Sequence, residues 1–553
     1  MRPDRRLLQS ACPALLSAAL LSACGGGGQM NPDGAANTAA ATSSSPAPTS
    51  TPPGPVTLTD VLTYHNDTQR TGQNLTETAL TPASVNAASF GKLRLLAADG
   101  KVDAAPLIAN GVTIGGTQHN VVYVASEHDS LYAYDVDSGA LLLHTSLLPN
   151  GETPSDPRSC GQVSPEIGIT ATPVIDRHAG PNGTIYLVAM SKDASGNYYQ
   201  RLHALDLATL QDRISPAAAP GGASGPVGFD PKQYKERGAL LLSQGQVFTV
   251  WASHCDISPY NGWIIAYDAG SLAQTAALNV TPNGAEAGIW DVAGLEADSS
   301  GALYVSTGNG SFDTSLSSAG LPSQQDYGNC VLKLMLNGRS LSIVDYFTAS
   351  NTISLSANDL DLGSGSPLLL PDQLDASGQT RHLLLAAGKY PTLYLLDRDN
   401  LGHFNASADQ AYQQLRNALP GGVYSASAYF NGSVYIADVR GALKAYALAG
   451  ATLPPSPTSQ TAITFDYPGS APSISANGAS TAILWTLQSD PSAPAVLHAY
   501  NPADLAQEYY NSNQAANGRD QFGAGNKFIT PVVTGGRVFV GTTSAVAVFG
   551  LLQ

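Results

Sequence analysis

Two short polar patterns in this sequence could take part in chemistry. His254 and Asp256 stand two residues apart in ASHCDIS, and Asp359 and Asp361 do so in NDLDLGSG. Alternate residues of a strand share one face, so the members of each pair would point the same way. If the fold gathers the ends of several structural repeats around one funnel, further candidates join them: Glu166, Trp263, Trp290, Asn309 and Lys389.

Carboxylates, an imidazole, an amine and two indoles in one funnel could bind a carbohydrate, a metal ion or a quinone. The plain structural alternative is that buried polar groups join neighbouring sheets through hydrogen bonds, while the indoles cover the sheet ends. The sequence has no GxSxG elbow, HExxH pair, phosphate-binding loop or CxxC pair. It therefore assigns no catalytic residue and leaves the identity of any metal unknown.

The composition excludes several classes of protein. The 553 residues include 55 Gly and 36 Pro, and 43% are hydrophobic while only 12% are charged. This is typical of a turn-rich globular chain and not of a coiled coil or an acidic disordered protein. With 26 basic and 42 acidic residues the net charge is -16, which opposes binding to nucleic acid. We expect a monomer.

The elements that would position the candidates come from an internal repeat. A short alternating strand, often ending in an aromatic residue and Asp, recurs eight times, as in SLYAYD, WIIAYD and TLYLLD, about every 59 residues. A second strand precedes every copy, as in VVYVAS and RVFVGT, and most copies have an earlier segment of the form small residue, Pro, apolar residues. Joined by Gly and Asn/Asp turns, these strands predict antiparallel meanders.

Eight such units predict an all-β fold, an eight-bladed β-propeller of four-stranded antiparallel blades. The chain ends at Gln553, shortly after the third strand of the last unit, so the last blade lacks one strand. The segment FGKLRLLAA, which starts at Phe90, has strand character but no unit of its own. We expect this N-terminal strand to complete the last blade and leave no open edge.

The N-terminus indicates export. Arg5 and Arg6 precede a short apolar stretch ending in Leu21-Ser22-Ala23-Cys24, which predicts a secretory signal peptide over residues 1–23. LSAC resembles the bacterial lipobox, which implies that Cys24 carries a lipid and anchors the protein to the outer membrane. The alternative is an ordinary signal cut near Ala23. Residues 24–57 are rich in Gly, Ala, Ser and Pro and predict a disordered tether before the propeller at 58–553.

Three cysteines lie beyond the signal and the lipobox. An oxidising compartment favours pairing, and Cys160 and Cys255 fall in corresponding regions one blade apart, so we expect a disulfide between them. Cys330 would then be a buried free thiol. The alternative that gives a cysteine a chemical role is a nucleophilic Cys255 activated by His254. Neighbouring residues of a strand point to opposite faces, so adjacency in sequence does not make these two a catalytic pair.

Several phrases of the sequence, in order, resemble one family. They are HNVVYVASEHDSLYAYDVDSG, PEIGITATPVID, LHALDLATL, SHCDISPYNGWIIAYD, STGNGSFD and LYLLDRDNLG. They resemble the secreted bacterial proteins with pyrroloquinoline-quinone (PQQ)-like repeats, from about Tyr64 to the end. The resemblance implies a quinoprotein-like propeller, a repeat shared by dehydrogenases and by binding propellers without a cofactor.

The quinoprotein alcohol dehydrogenases hold the quinone between a vicinal disulfide and a Trp, with Ca²⁺ bound by Glu, Asn and Asp. This chain has no adjacent Cys pair and only four Trp, so none of those roles is carried over. We expect an outer-membrane lipoprotein in the cell envelope that binds a protein or carbohydrate through its axial face, with no cofactor. The alternative is a PQQ- and Ca-dependent dehydrogenase of alcohols or sugars, and a third is an enzyme of extracellular polysaccharide.

Overall fold

The computed structural model describes residues 58–218, 228–489 and 493–552. The predicted signal peptide, the lipidation site Cys24 and the tether at 24–57 lie outside the described residues. Within the described ranges, no helix is both long enough and apolar enough to cross a membrane.

Eight antiparallel sheets follow one another along the chain, which confirms the predicted eight-bladed all-β propeller. Two early strands precede them, β1 (Gln73–Asn74) and β2 (Phe90–Ala97). Blade 1 contains β3 (Leu107–Ile114), β4 (Thr117–Ala125), β5 (Ser130–Asp135) and β6 (Leu141–Ser146), and blade 2 contains β7 (Glu152–Pro154), β8 (Val174–Asp176), β9 (Thr184–Asp193), β10 (Tyr198–Asp206) and β11 (Ala217–Ala218). Blade 3 contains β12 (Tyr234–Glu236), β13 (Leu241–Ser243), β14 (Gln246–Ser253), β15 (Trp263–Asp268) and β16 (Gln274–Asn279). Blade 4 contains β17 (Glu296–Ala297), β18 (Leu303–Ser306), β19 (Val331–Asn337) and β20 (Ser340–Phe347).

Blades 5 to 8 complete the ring. Blade 5 contains β21 (Leu368–Leu369), β24 (Leu383–Ala386), β25 (Leu393–Asp397) and β26 (Gln413–Leu415), with an added hairpin of β22 (Gln373–Leu374) and β23 (Thr380–Arg381). Blade 6 contains β27 (Ala428–Phe430), β28 (Ser433–Ala437), β29 (Leu443–Ala447) and β30 (Ser459–Gln460). Blade 7 contains β31 (Ser473–Asn477), β32 (Ser480–Gln488), β33 (Val496–Asn501) and β34 (Asp504–Asn511), and blade 8 contains β35 (Val532–Thr534), β36 (Arg537–Gly541) and β37 (Ala545–Leu551). In the part of the chain that the structure describes, one short α-helix, α1 (Thr352–Ala357), and two 3-10 turns, at Gly161–Val163 and Ala516–Gly518, lie in connections.

The repeated sequence motifs form the second and third strands of the blades. In blade 1, VVYVAS lies in β4 and SLYAYD forms β5, and the two pair from Val121↔Asp135 to Ala125↔Leu131. Tight hairpins join the strands where glycines allow a positive φ. Gly535 and Gly536, at φ 59° and 73°, make the turn between β35 and β36.

The ring closes through β2, as predicted. β2 pairs antiparallel with β37 from Phe90↔Leu551 to Ala97↔Ala545 and becomes the fourth strand of blade 8. Phe90 is fully buried, and its ring lies 5.4 Å from that of Trp485 and 5.0 Å from that of Tyr510 in the neighbouring blade 7. The hydrophobic core therefore lies between adjacent blades, and the closing strand contributes to it.

The segment before β2 crosses the middle of the ring, which the sequence did not predict. We call residues 58–80 the strap. Backbone hydrogen bonds link it to the innermost strands of blades 1, 2, 4, 6 and 7, at Ile108, Ile175, Ala297, Tyr429 and Ile474. Within it, β1 runs parallel to β31. Side-chain hydrogen bonds link the strap to two further blades: Arg70 donates to the Leu240 carbonyl of blade 3, and Asn74 donates to the Val533 carbonyl of blade 8.

Two blades depart from four simple strands. In blade 2 both β7 and β8 pair with β9, and in blade 3 both β12 and β13 pair with β14. The innermost strand of each is thus broken into two pieces. The breaks place residues 155–173 and 237–240 at the inner ends of these blades, beside the cavity described next.

Candidate functional site

An axial cavity of about 470 Å³ opens where the connections between blades meet. Its wall comes from the loops that lead into the innermost strands and from the loops after the second strands of blades 3, 4 and 5. A smaller cavity of about 20 Å³ shares Arg237 and Phe528 with it and is also lined by Tyr64 of the strap. The strap therefore contributes to the inner end of the axial space.

Six of the nine sequence candidates line this cavity. Each stands in a loop, and the six come from successive connections of blades 3, 4 and 5: Asp256, Trp290, Asn309, Asp359, Asp361 and Lys389. Four of them, Asn309, Asp359, Asp361 and Lys389, form one network, which we call the acidic side.

The acidic side is organised around Lys389. Its ammonium forms an ion pair with Asp359 and lies 3.7 Å from Oδ1 of Asp361. Asn309 donates from its side-chain amide to Asp359 at 2.6 Å and from its backbone N–H to Asp361 at 3.1 Å. Burial raises the pKa of Asp361 to about 6, against the opposing charge of Lys389. Burial alone would lower the pKa of Lys389, but the charges of Asp361 and Asp359 hold it above its usual value.

Asp256 owes its position to an unusual turn. β14 ends at Ser253, and Cys255 and Asp256 adopt left-handed backbone angles, with φ of 54° and 53°. Cys255 forms the disulfide with Cys160 expected from the sequence, at a Cα–Cα distance of 6.3 Å. This bond ties the loop inserted into blade 2 to the cavity wall in blade 3. Cys330 is free and buried, as expected.

Three candidates lie away from the cavity lining. Glu166 faces His128, with 3.1 Å between a carboxylate oxygen and Nδ1. His254 is buried, its Nε2 is 2.9 Å from the Pro157 carbonyl, and burial lowers its pKa. Trp263 belongs to the core between blades 2 and 3. The expectation that His254 and Asp256 share a face is wrong, because the left-handed turn breaks the alternation of a strand.

An arc of aromatic side chains lies on the cavity wall and was not predicted from the sequence. Ring centroids lie 6.2 Å apart between Trp290 and Tyr424, 5.4 Å between Tyr424 and Tyr467, and 6.2 Å between Tyr467 and Phe528. We call these four residues the aromatic arc. Each stands four to six residues before an innermost strand, as in IWDVAGLE and FITPVV, and this recurring position is the signal that could have found them.

Basic residues were also missed. Lys235 and Arg237, at the break in blade 3, line the axial cavity, and Lys527 lines the smaller cavity with Arg237. The Arg237 guanidinium lies 4.5 Å from the Phe528 ring centroid, and Lys527 Nζ lies 5.4 Å from that of Tyr467. Such cation–π contacts hold the cations against the aromatic arc. We call Lys235, Arg237 and Lys527 the basic group.

The residues present do not fit a calcium ion. Among the described residues no three or more His, Cys, Asp or Glu side chains are grouped to hold a metal. On the acidic side, the ammonium of Lys389 already lies between Asp359 and Asp361, where a metal would need their oxygens. Lys389 thus supplies the positive charge that these carboxylates require.

No protein-family model matches the chain, and no curated protein matches it in sequence. Solved structures do resemble it. The quinohemoprotein alcohol dehydrogenase of Comamonas testosteroni is 15% identical with a TM-score of 0.59, and alignment covers 89% of this chain and 80% of the other. Quinohemoprotein alcohol dehydrogenase ADHIIG from Pseudomonas putida HK5 is 14% identical with a TM-score of 0.55, and alignment covers 89% of this chain and 80% of the other.

A third structure shows the same architecture. A europium-containing methanol dehydrogenase is 11% identical with a TM-score of 0.54, and alignment covers 89% of this chain and 98% of the other. At these identities the likeness concerns the fold. The chain has the eight-bladed β-propeller architecture that its repeats predicted.

Proposed function

We propose that this protein is a binding protein of the cell envelope, anchored to the outer membrane through Cys24, that takes its ligand into the axial cavity. The cavity carries the proposal. At about 470 Å³ it has the size of a small-ligand site, and aromatic side chains and convergent polar groups line it. Seven blades are tied to a strap that contributes to its inner end, so the wall is built before any ligand arrives.

Pre-formed walls suit binding without large rearrangement. Trp290 and Tyr424 offer flat faces for a ring, while Asp256 and the Asp359–Asn309 pair offer hydrogen-bonding groups beside them. Of these, Asp256 has no cationic partner in the described part of the chain; its contacts at 3.3 and 3.4 Å are to the hydroxyls of Ser253 and Tyr260. Its carboxylate is available to a ligand hydroxyl.

A thermal-unfolding screen of the full-length protein against sugars, organic acids, nucleosides and peptides tests the proposal. We expect at least one compound class to raise Tm. Trp290→Ala should abolish that rise, whereas Tyr509→Ala should keep it, because Tyr509 is a partly buried aromatic of β34 outside the cavity. A rise that survives Trp290→Ala, or no rise with any class, contradicts the proposal.

The anchor has a separate test. Replacement of Cys24 by Ser should move the protein from the membrane fraction to the soluble fraction of the envelope, and it should leave the ligand-induced rise in Tm unchanged. Retention in the membrane fraction would contradict lipid attachment at Cys24 while leaving the cavity's role intact.

The second candidate is a quinoprotein dehydrogenase, and one observation favours it. Cys255, a member of the disulfide, and Trp290 both line the same cavity, although the two cysteines are 95 residues apart in sequence. PQQ supplies the redox chemistry in such enzymes, and here Cys255, Trp290 and the basic group are the residues that would contact it. Incubation with PQQ, with and without Ca²⁺, should show a bound chromophore and dye reduction by alcohols if this candidate is right. The absence of both would eliminate it.

A further inference from the structure

We propose that the ligand of the axial cavity carries a carboxylate or phosphate group, which Lys235, Arg237 and Lys527 bind at the inner end of the cavity. The inference rests on the proposed function above and specifies the chemistry of the ligand.

Arg237 is the first of three reasons. It lines both the axial cavity and the smaller cavity. One face of its guanidinium lies on the Phe528 ring, and among the described residues it makes no hydrogen bond and no ion pair. A planar guanidinium has five N–H donors in a geometry that matches carboxylate and phosphate oxygens. Those donors are unsatisfied by the protein and adjoin the space a ligand would fill.

Lys235 is the second reason. It is only 5% exposed, yet its side chain lines the cavity. Within the described ranges its ammonium makes no hydrogen bond, and the one carboxylate within 4.0 Å is Glu127, at 3.7 Å. An ammonium on a largely buried side chain with so few protein acceptors depends on what fills the cavity to solvate its charge. An anionic ligand would supply those acceptors.

The local balance of charge is the third reason. Burial lowers the pKa of Lys527, and the nearby charges of Arg237 and Lys101 lower it further, which shows that these cations repel one another. Two carboxylates accompany them, Asp103 and Glu127, and burial followed by the charge of Glu127 raises the pKa of Asp103 to about 7. Although burial opposes it, the charge of Lys235 holds the pKa of Glu127 below its usual value, so at most two carboxylate charges face the three cations. The inner end of the cavity is positive in a protein whose net charge is -16.

The rest of the cavity indicates what carries the anion. The aromatic arc provides ring faces that extend from Phe528, beside Arg237, to Trp290 on the acidic side. Asp256 and Glu286 line the cavity without an ion pair in the described part of the chain, and they can accept hydrogen bonds from hydroxyls. A ring with hydroxyls and one acidic group, such as a uronic acid or a sugar phosphate, matches this arrangement.

Trp290 supplies a built-in reporter for the test. It is partly exposed in the cavity, whereas Trp251, Trp263 and Trp485 are at most 1% exposed. The full-length protein is titrated with galacturonate, galactose, glucose 6-phosphate, glucose and inorganic phosphate, with binding followed by tryptophan fluorescence and by calorimetry. The two acid–neutral pairs separate the contribution of the acidic group from that of the ring, and comparison of the two acids separates carboxylate from phosphate.

We expect an acidic sugar to bind about tenfold or more tightly than its neutral counterpart, the usual effect of a charge-assisted hydrogen bond. Arg237→Gln should remove that advantage. Arg339→Gln, which removes the same charge from an exposed residue between β19 and β20, should not. Lys527→Met is a second cavity variant, and thermal unfolding without ligand checks that each variant folds.

Three results would overturn the inference. They are equal affinity for the acidic and neutral sugars, an acid affinity unchanged in both Arg237→Gln and Lys527→Met, and no binding of any of the five probes up to about 10 mM. None of these results would contradict the proposal that the axial cavity binds a ligand. That proposal is tested separately by the thermal screen with Trp290→Ala.

Discussion

Replacing Arg70 tests whether the strap holds the centre of the propeller together. Arg70 is 1% exposed and donates hydrogen bonds to the Thr63 hydroxyl at 2.5 Å, the Tyr64 carbonyl at 3.1 Å, and the Leu240 and Leu295 carbonyls at 3.2 Å. It thereby joins the strap to blades 3 and 4. Methionine would retain much of the apolar stem but remove all four bonds.

The expected cost follows from these contacts. Each buried acceptor left without a donor costs about 1–3 kcal/mol, although the charge of Arg70 no longer has to be desolvated. Burial raises the pKa of Glu296 and of Asp67, and the charge of Arg70 opposes both rises. We therefore expect Arg70→Met to lower the free energy of unfolding by about 3–5 kcal/mol. This is the range found when one partner of a buried charged pair is removed.

Equilibrium urea unfolding followed by tryptophan fluorescence measures this loss, with Arg339→Met as the matched control on an exposed turn. We expect the control to change the free energy of unfolding by less than about 0.5 kcal/mol. A loss below about 1 kcal/mol for Arg70→Met would refute the reasoning, because removing the Arg70 side chain leaves several buried acceptors of the strap and blades without a donor.

Three other outcomes are expected from local features. Phe90→Ala should lower the free energy of unfolding by about 3–5 kcal/mol in the same urea assay, because it empties a fully buried site at the closing strand; a loss under about 1 kcal/mol would argue against closure by β2. Burial raises the pKa of Asp291 from 3.8 to about 7, so its folded form retains a proton that the unfolded chain releases. Stability should therefore fall as pH rises from about 4 to 7, by at most about 1.4 kcal/mol per unit for this group, and Asp291→Asn should flatten that part of the profile; parallel profiles would contradict the shift. Double replacement of Cys160 and Cys255 by Ser should cost about 2–5 kcal/mol, since the bond closes a loop of 95 residues, and an unchanged urea midpoint would contradict that contribution.

Much of the fold could be predicted because each blade repeats a local pattern. The alternation in SLYAYD and its partner strands reflects residues packed between adjacent blades, so the pattern persists in every unit. Closure by the strand at Phe90 followed from the missing fourth strand of the last unit. The strap has no such periodicity. Its bonds join residues far apart in sequence, such as Thr68 and Ala297, and short-range patterns do not encode them.

The site was only partly predictable for a related reason. Spacing found Asp359 and Asp361, which do meet at Lys389, but through a loop and not through a strand. The same rule failed for His254 and Asp256, where left-handed backbone angles turn the two side chains apart. The aromatic arc and the basic group come from five different connections, and their grouping exists only once the ring is closed. Lipidation at Cys24 and its outer-membrane location remain predictions.

The crystal structure of the full-length protein with the tightest-binding compound from the thermal screen is the most direct test of the axial cavity as the binding site. We expect the compound to lie between the aromatic arc and the acidic side, with Trp290 in contact with it. A compound bound on an outer strand of a blade, with the axial cavity unchanged, would contradict it.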